Sequence, residues 1–252
     1  MRLEGKRALL IGAATGIGQA VGEDFARNGA KLAIADINET GVNELVRELD
    51  DRGATCFGYG CDVRNEKSVA DVVAAAERDM GGLDTLVYFA GLMRTAPVTE
   101  IEADVWDAIF AVNARGTMFA AKYGAPALRR AGGGSFITTS SLAGLRGAPG
   151  MTAYASAKGA VLAFTTALAQ ELAPDNIRVN SVLPGWIDTP FNTPAIEFMG
   201  GEATHGEIVK KLVPLGRQGV PEEVAPMYTF LASEESRYIT AKQMMVDGGM
   251  AH

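Results

Sequence analysis

Short, wholly apolar runs alternate along the chain with longer stretches whose apolar residues recur every third or fourth position. Residues 8–11, Ala-Leu-Leu-Ile, have glycine on either side and suit a strand buried on both faces. Ile17, Val21 and Phe25 follow at helical spacing, with Asn28-Gly29 as the stop signal. A second strand is predicted over 31–35, and Asn38 is a plausible cap for a helix running to Leu49. A third strand is predicted over 54–59, after which Val69, Val72, Val73, Ala76 and Met80 fall on one helix face. Residues 83–89 predict a fourth strand and 103–130 a long helical region, which Gly132-Gly133-Gly134 breaks before a strand at 135–139. A helix over 152–172, a strand at 177–183 and a helix start at Pro221-Glu222-Glu223 extend the series.

Such regular alternation implies crossover units and a mostly parallel sheet covered on both sides. With no fixed-period repeat and no low-complexity linker, residues 1–252 read as a single α/β domain of about seven strands. The stretch 184–215 fits this pattern least. It carries three prolines before Ile196, a pair of glycines, and the large apolar residues Trp186, Phe191 and Phe198, which look exposed. Long irregular stretches in compact domains are functional lids or disordered segments, so 186–215 is expected to cover a substrate.

Composition narrows the function classes. Apolar residues make up 48% of the chain, an ordinary globular proportion. A formal charge of −7 argues against a nucleic-acid surface, which needs clustered basic charge. No uninterrupted apolar run approaches the ~20 residues needed to span a membrane. The two cysteines, Cys56 and Cys61, have no second Cys or His cluster to complete a metal site and read as small buried residues. A cytoplasmic setting is the default expectation.

The chemistry begins between the first strand and the first helix, at Gly12-Ala13-Ala14-Thr15-Gly16-Ile17-Gly18. Glycines there permit a tight turn, let backbone amides approach a pyrophosphate, and let helix and sheet pack closely. The helix N-terminus then presents N–H groups to phosphate. Asp36 closes the second strand, close to where an acid after such a loop accepts hydrogen bonds from ribose hydroxyls. An acid at that place repels a 2′-phosphate, and no Arg or Lys among 12–18 or at 37–38 compensates, so NAD is favoured over NADP. Asp62-Val63 after the third strand suits an acceptor for the adenine amino group or, equally, a helix cap. Ala90-Gly91 after the fourth strand lets backbone pass close to a ribose. Tyr154 and Lys158, one helical turn apart in the predicted helix 152–172, leave the same face. A fixed ammonium beside a phenol favours the phenolate, which makes the pair a candidate general acid/base.

With the glycine loop, Asp36 and the Tyr154/Lys158 spacing in this order, the chain resembles the short-chain dehydrogenase/reductase family over essentially its full length. The resemblance implies a doubly wound parallel sheet, the Rossmann fold, and NAD-dependent interconversion of a secondary alcohol and a ketone. It implies Tyr154 as general acid/base, with Ser141, and not its neighbour Ser140, hydrogen-bonded to the reacting oxygen. It also implies Lys158 gripping the nicotinamide ribose and Asn113 holding a water that links Lys158 to solvent. Two of these have blander readings: Ser141 as a strand end, Asn113 as a backbone-satisfied buried amide. Cofactor contacts are implied at Gly12, Thr15, Gly16, Ile17 and Gly18, at Asp36 and Ile37, at Asp62 and Val63, and at Ala90 and Gly91. Past the sixth strand they continue through Pro184, Gly185, Ile187 and Thr189, the last suited to the carboxamide or to capping a turn.

Two departures stand out. Tyr88-Phe89 replaces the family's usual pair of asparagines, so ring packing is expected where hydrogen bonds normally tie the fourth strand to its neighbours. Ala241 stands where glycine is common, a change expected to be tolerated. The candidate pocket wall, Met93, Arg94, Leu142, Leu145, Trp186 and Phe191 with Ser141 and the rest of the segment 186–212, suggests an apolar cleft with little charge, in which Arg94 or Arg146 would be the anchor for an anion. Polyols, sugars, hydroxysteroids, cyclic alcohols and hydroxyacyl thioesters remain open as the small-molecule partner. The resemblance also implies a homodimer or homotetramer, with interfaces at helices near 103–130 and 152–172 and the C-terminal strand. Two rivals have features against them. A carrier-protein thioester reductase would favour NADPH and a basic docking patch, and a non-catalytic NAD-binding regulator would normally have lost one of Ser141, Tyr154 or Lys158.

Overall fold

The computed structural model describes residues 1–251. Among them, seven strands form one parallel sheet: β1 (Arg7–Ile11), β2 (Lys31–Asp36), β3 (Cys56–Gly60), β4 (Thr85–Tyr88), β5 (Gly134–Thr139), β6 (Ile177–Pro184) and β7 (Gln243–Val246). Their order is β3-β2-β1-β4-β5-β6-β7, and every neighbouring pair is parallel. The helices are α1 (Gly16–Arg27), α2 (Glu39–Asp51), α3 (Glu66–Met80), α4 (Ala103–Phe110), α5 (Gly116–Arg130), α6 (Ala143–Arg146), α7 (Thr152–Leu172), α8 (Thr193–Phe198), α9 (Glu202–Leu212) and α10 (Pro221–Ala232). Strand order reverses at β1 and β4, so the crevice beyond their carboxyl ends is where a doubly wound sheet binds its ligand.

Strand alternation divides the interior into two cores. Leu9 and Ile11 of β1 join Ala33 and Ala35 of β2 under Val69, Phe119 and Leu168 of α3, α5 and α7. Ala8 and Leu10 join Leu32 and Ile34 on the opposite face, under Val21 and Phe25 of α1 and Tyr228 and Leu231 of α10. Being buried on both sides is why these strands read as continuous apolar runs. Cys61 lies in the first core and Cys56 in the second, so the two point away from each other and form no redox pair. Burial pushes the Cys56 thiol up to about 12 and the Cys61 thiol up to about 11.

Three expectations change. The helical region 103–130 is continuous but contains a π-turn at Ala111–Arg115, between α4 and α5. The stretch 184–215 is not irregular, since it holds α8 and α9 separated by Gly200 and Gly201, both at positive φ. Only His205 and Val209 of α9 are buried, too few to make a strong periodic signal, although Glu202 at its start and Lys210 and Lys211 at its end suit the helix dipole. Ala241, finally, is held at φ +58 with its N–H donating to Val179 O at 2.8 Å, so its place in the chain carries left-handed backbone strain of about 1 kcal/mol.

Candidate active site

The glycine loop is shaped by contacts that tolerate no side chain. Gly12 has φ +83, and a Cβ on it would lie 2.3 Å from Ala90 N. A Cβ on Gly18 would lie 2.6 Å from Ala13 Cα, so α1 starts hard against the β1 turn. Gly16, also at positive φ, sits under the Thr189 methyl. The Asp36 carboxylate accepts from Ala14 N at 3.1 Å and from Asn38 N at 3.0 Å, one bond to each oxygen. It is thereby fixed beside the loop with acceptor capacity to spare, which fits a ribose diol. These are the features a dinucleotide requires of its cradle.

A cavity of about 1190 Å³ takes in Gly12, Thr15, Gly16, Ile17 and Gly18, then Asp36, Ile37, Asp62, Val63, Ala90 and Gly91, and continues past Ser141, Tyr154 and Lys158 to Pro184, Gly185, Ile187 and Thr189. That volume exceeds the roughly 300–1,000 Å³ of a common ligand site, as a dinucleotide together with a second molecule requires. Asp62 lines the cavity and is not the helix cap. Arg64 forks onto its carboxylate, Nε to Oδ1 at 2.9 Å and Nη2 to Oδ2 at 2.8 Å, and holds it below the usual carboxylate range. The cap of α3 is Asn65, whose Oδ1 accepts from Lys67 N and Ser68 N. Arg64 itself lines the cavity, a cationic neighbour that the spacing argument did not single out.

At the middle of the cavity, α7 presents Tyr154 and Lys158 from one face, both buried. Lys158 Nζ lies 5.7 Å from the Tyr154 ring centroid and donates to Thr139 O at 2.8 Å. The two adjacent serines both border the cavity, but the buried Ser140 hydroxyl donates to Lys158 O at 2.8 Å, whereas the Ser141 hydroxyl is the one beside the Tyr154 phenol. Burial pushes the Tyr154 phenol up to about 12, against a smaller downward pull from the Ser141 hydroxyl. Burial alone brings the Lys158 ammonium down to about 7. The expectation that Lys158 depresses the phenol therefore fails in the cofactor-free protein. No carboxylate accompanies the amine, and a desolvated ammonium with one carbonyl partner gives up its proton.

That reversal makes a test. An unfolded lysine keeps its proton to pH ~10.4, whereas Lys158 releases it near 7. Between those values the unfolded chain binds more protons, so stability rises with pH there, and the full penalty stands below pH 7. Lys158→Met should accordingly raise the Tm of the cofactor-free protein by at least about 3 °C at pH 7. The advantage should shrink toward pH 9.5 in thermal melts; an advantage that is the same at both pH values would contradict this account.

Asn113 lies behind the cavity wall in the π-turn, fully buried. Its Nδ2 donates to Leu92 O at 2.8 Å and to Ile109 O at 2.9 Å, while its Oδ1 is buried with no partner. π-turns of this kind are frequent at functional positions. Tyr88 supports the turn by more than ring packing, because its hydroxyl donates to Val112 O at 2.6 Å through the space left by Gly116. Phe89 does pack as expected, against Tyr228 with centroids 4.9 Å apart.

The expected pocket wall needs correction at two positions. Met93, Leu142, Trp186 and Phe191 line the cavity, and the Phe191 ring lies 5.9 Å from that of Tyr154. Arg94 and Leu145 do not. Arg94 is exposed and folds back onto Met93 O, and Leu145 is on the outer side of the one-turn helix α6. Arg146, next in that turn, does line the cavity, and its guanidinium donates to Met250 O. Phe198, Met199 and Leu212 of the 186–212 segment also line the cavity, whereas Met151 and Met250, outside that segment, were not foreseen. His205 packs edge-on against Trp186, centroids 4.7 Å apart, with its Nε2 buried and unpartnered.

Among the described residues no group of side chains has metal-ligand geometry, and no helix is long and apolar enough to cross a membrane. Comparison with known proteins places the chain among oxidoreductases. A family model described as enoyl-(acyl carrier protein) reductase matches residues 12–251. The chain is 38% identical over 250 residues to 3-oxoacyl-(acyl-carrier-protein) reductase FabG of Thermotoga maritima, covering 99% of each. It is 34% identical to D-threitol dehydrogenase of Mycolicibacterium smegmatis, covering 98% of this chain and 94% of the relative. A crystal structure of a short-chain type dehydrogenase/reductase from Mycobacterium marinum superposes with a TM-score of 0.92 at 33% identity, covering 99% of this chain and 96% of that one.

Proposed function

The chain belongs to the short-chain dehydrogenase/reductase family, oxidoreductases that use a nicotinamide cofactor, and from that premise we propose that it interconverts a secondary alcohol and a ketone with NAD, Tyr154 moving the proton. The observation that carries this reading is the single cavity that joins the glycine cradle and Asp36 to the buried set of Ser141, Tyr154 and Lys158. NAD, when bound, supplies the ring that exchanges hydride with the carbinol carbon.

The protein's share is orientation and proton management. In reduction, the neutral phenol of Tyr154 gives its proton to the carbonyl oxygen, and Ser141 donates to the same oxygen as charge grows on it. In oxidation, Tyr154 must accept the hydroxyl proton, which needs a charged Lys158 close by. At a pKa of about 7, a substantial fraction of Lys158 keeps its proton at neutral pH. Asn113, with a buried oxygen that lacks a partner, is the position from which a water would connect Lys158 to solvent. Family membership also leads us to expect a homodimer or homotetramer built through α5, α7 and β7.

Asp36 supports NAD over NADP, since a carboxylate already fixed by two backbone N–H groups cannot swing away from a 2′-phosphate without losing both. Asp36→Ala should shift the ratio of kcat/KM for NAD over that for NADP toward NADP by about tenfold or more; an unchanged ratio would sink this role. The function as a whole is tested by following NADH formation over a panel of secondary alcohols. Turnover of none of them, with NAD binding intact, would defeat it.

The second reading is a 3-oxoacyl-thioester reductase, favoured by the name of the Thermotoga maritima relative. Asp36 and a net charge of −7 oppose it, because that role calls for NADPH and a basic docking patch. NADPH-linked reduction of an acetoacetyl thioester faster than any NAD-linked oxidation would establish it instead.

A further inference from the structure

Resting on the oxidoreductase reading above, we propose that the substrate is an uncharged alcohol or ketone with apolar groups around its carbinol carbon, aliphatic, alicyclic or aryl, and not a polyol, a sugar or a hydroxy acid. The cluster that encloses Tyr154 consists of Met93, Met151 and Ala195, with Ala143, Trp186 and Met199 packed on it. These residues come from separate segments: the β4–α4 loop, α6, the lead into α7, the loop after β6, and α8 with its C-terminal cap. Five stretches of chain thus converge on the phenol, and none of the six side chains they pack against it is ionisable.

Of the polar side chains nearby, two are partly engaged, and His205, behind Trp186, does not line the cavity. Asn192 donates to Ile187 O at 2.6 Å, and Arg146 donates to Met250 O. None of the acidic residues of α8 and α9 lines the cavity. The wall is also tied shut. Thr95 Oγ1 donates to Pro194 O at 2.9 Å, Ala96 N donates to Gly150 O at 3.0 Å, and the Phe198 ring lies against Gly150 so closely that a Cβ there would be 2.5 Å from it. A further substrate hydroxyl lying against this cluster would leave water and find no partner among its side chains, a loss on the order of tenfold or more in kcat/KM for each. Methionines adapt their shape, so the selection is for polarity more than for one outline.

The test compares kcat/KM with saturating dinucleotide for 1-phenylethanol and cyclohexanol against threitol and 3-hydroxybutyrate. The apolar pair is expected to be at least about a hundredfold better, because threitol brings three further hydroxyls at the cost above and 3-hydroxybutyrate brings a carboxylate, whose unpaired burial costs more than a hydroxyl's. Met151→Gln and Met199→Gln keep side-chain length and add hydrogen-bonding groups, and each should narrow that ratio by about tenfold. Met199 is partly exposed, so its variant is expected to fold even if the Met151 variant does not. Equal or faster turnover of threitol or 3-hydroxybutyrate by the wild type overturns the substrate class and leaves the oxidoreductase reading standing. Turnover of neither pair, with dinucleotide bound, overturns that reading and the substrate class with it.

Discussion

Tyr154→Phe is expected to lower kcat by at least about a thousandfold while leaving dinucleotide affinity within about threefold, since a positioned general acid/base contributes roughly 10²–10⁴. The substitution removes one oxygen and keeps the ring. The ring is what packs with Met93, Met151 and Ala195 and faces Phe191 at 5.9 Å, so the fold of the site should survive. What disappears is the hydroxyl that carries the proton and its hydrogen bond with Ser141. Steady-state kinetics with the best alcohol of the panel, together with equilibrium titration of NADH, separate the two effects. A variant that keeps a tenth of the wild-type rate would remove Tyr154 from the mechanism.

Gly12→Ala should be nearly as damaging, by a different route. The new methyl would lie 2.3 Å from Ala90 N and 2.5 Å from Ala90 Cα, backbone atoms that cannot rotate aside, at a φ of +83 that alanine itself resists. Left-handed backbone costs roughly 1–2 kcal/mol and forced overpacking about 1–3 more. A Tm loss of at least about 5 °C follows, with dinucleotide affinity down about a hundredfold or more as the β1 and β4 loops part. Gly53→Ala is the control. Gly53 has nearly the same φ, +86, but nothing within 4 Å, so it should lose only the conformational part and keep full affinity. Equal melting losses for both variants, with affinity unchanged in both, would show that close approach at Ala90 does not matter.

The contrast between those glycines shows where sequence reading stops. Gly12 was legible because its loop glycines follow one strand directly and Asp36 closes the next, all close along the chain. The strands were legible because each is buried on both faces and so is continuously apolar, and the helices because one face of each covers a core. Helix α9 was not, since it buries only His205 and Val209 and the rest of its surface gives no period. Arg94, Leu145 and Arg146 could not be ranked as wall residues, because a one-turn helix or a loop sends neighbouring side chains in different directions. The hydroxyl of Tyr88 reaches Val112 O only because the chain, after a loop, α4 and the π-turn, brings Gly116 back opposite it.

By itself the sequence determined the α/β alternation, the family, and the pairing of Tyr154 with Lys158 on one helix face. These follow from periodicity and spacing, which are local properties of a helix or strand. Only the tertiary structure decided the charge state of that pair, the different partners of Ser140 and Ser141, and the apolar lining around the phenol. Each of those depends on what the folded chain removes from water. Burial without a carboxylate lowered the Lys158 ammonium to about 7, so that it is only partly charged at neutral pH, and no spacing along the chain records that desolvation.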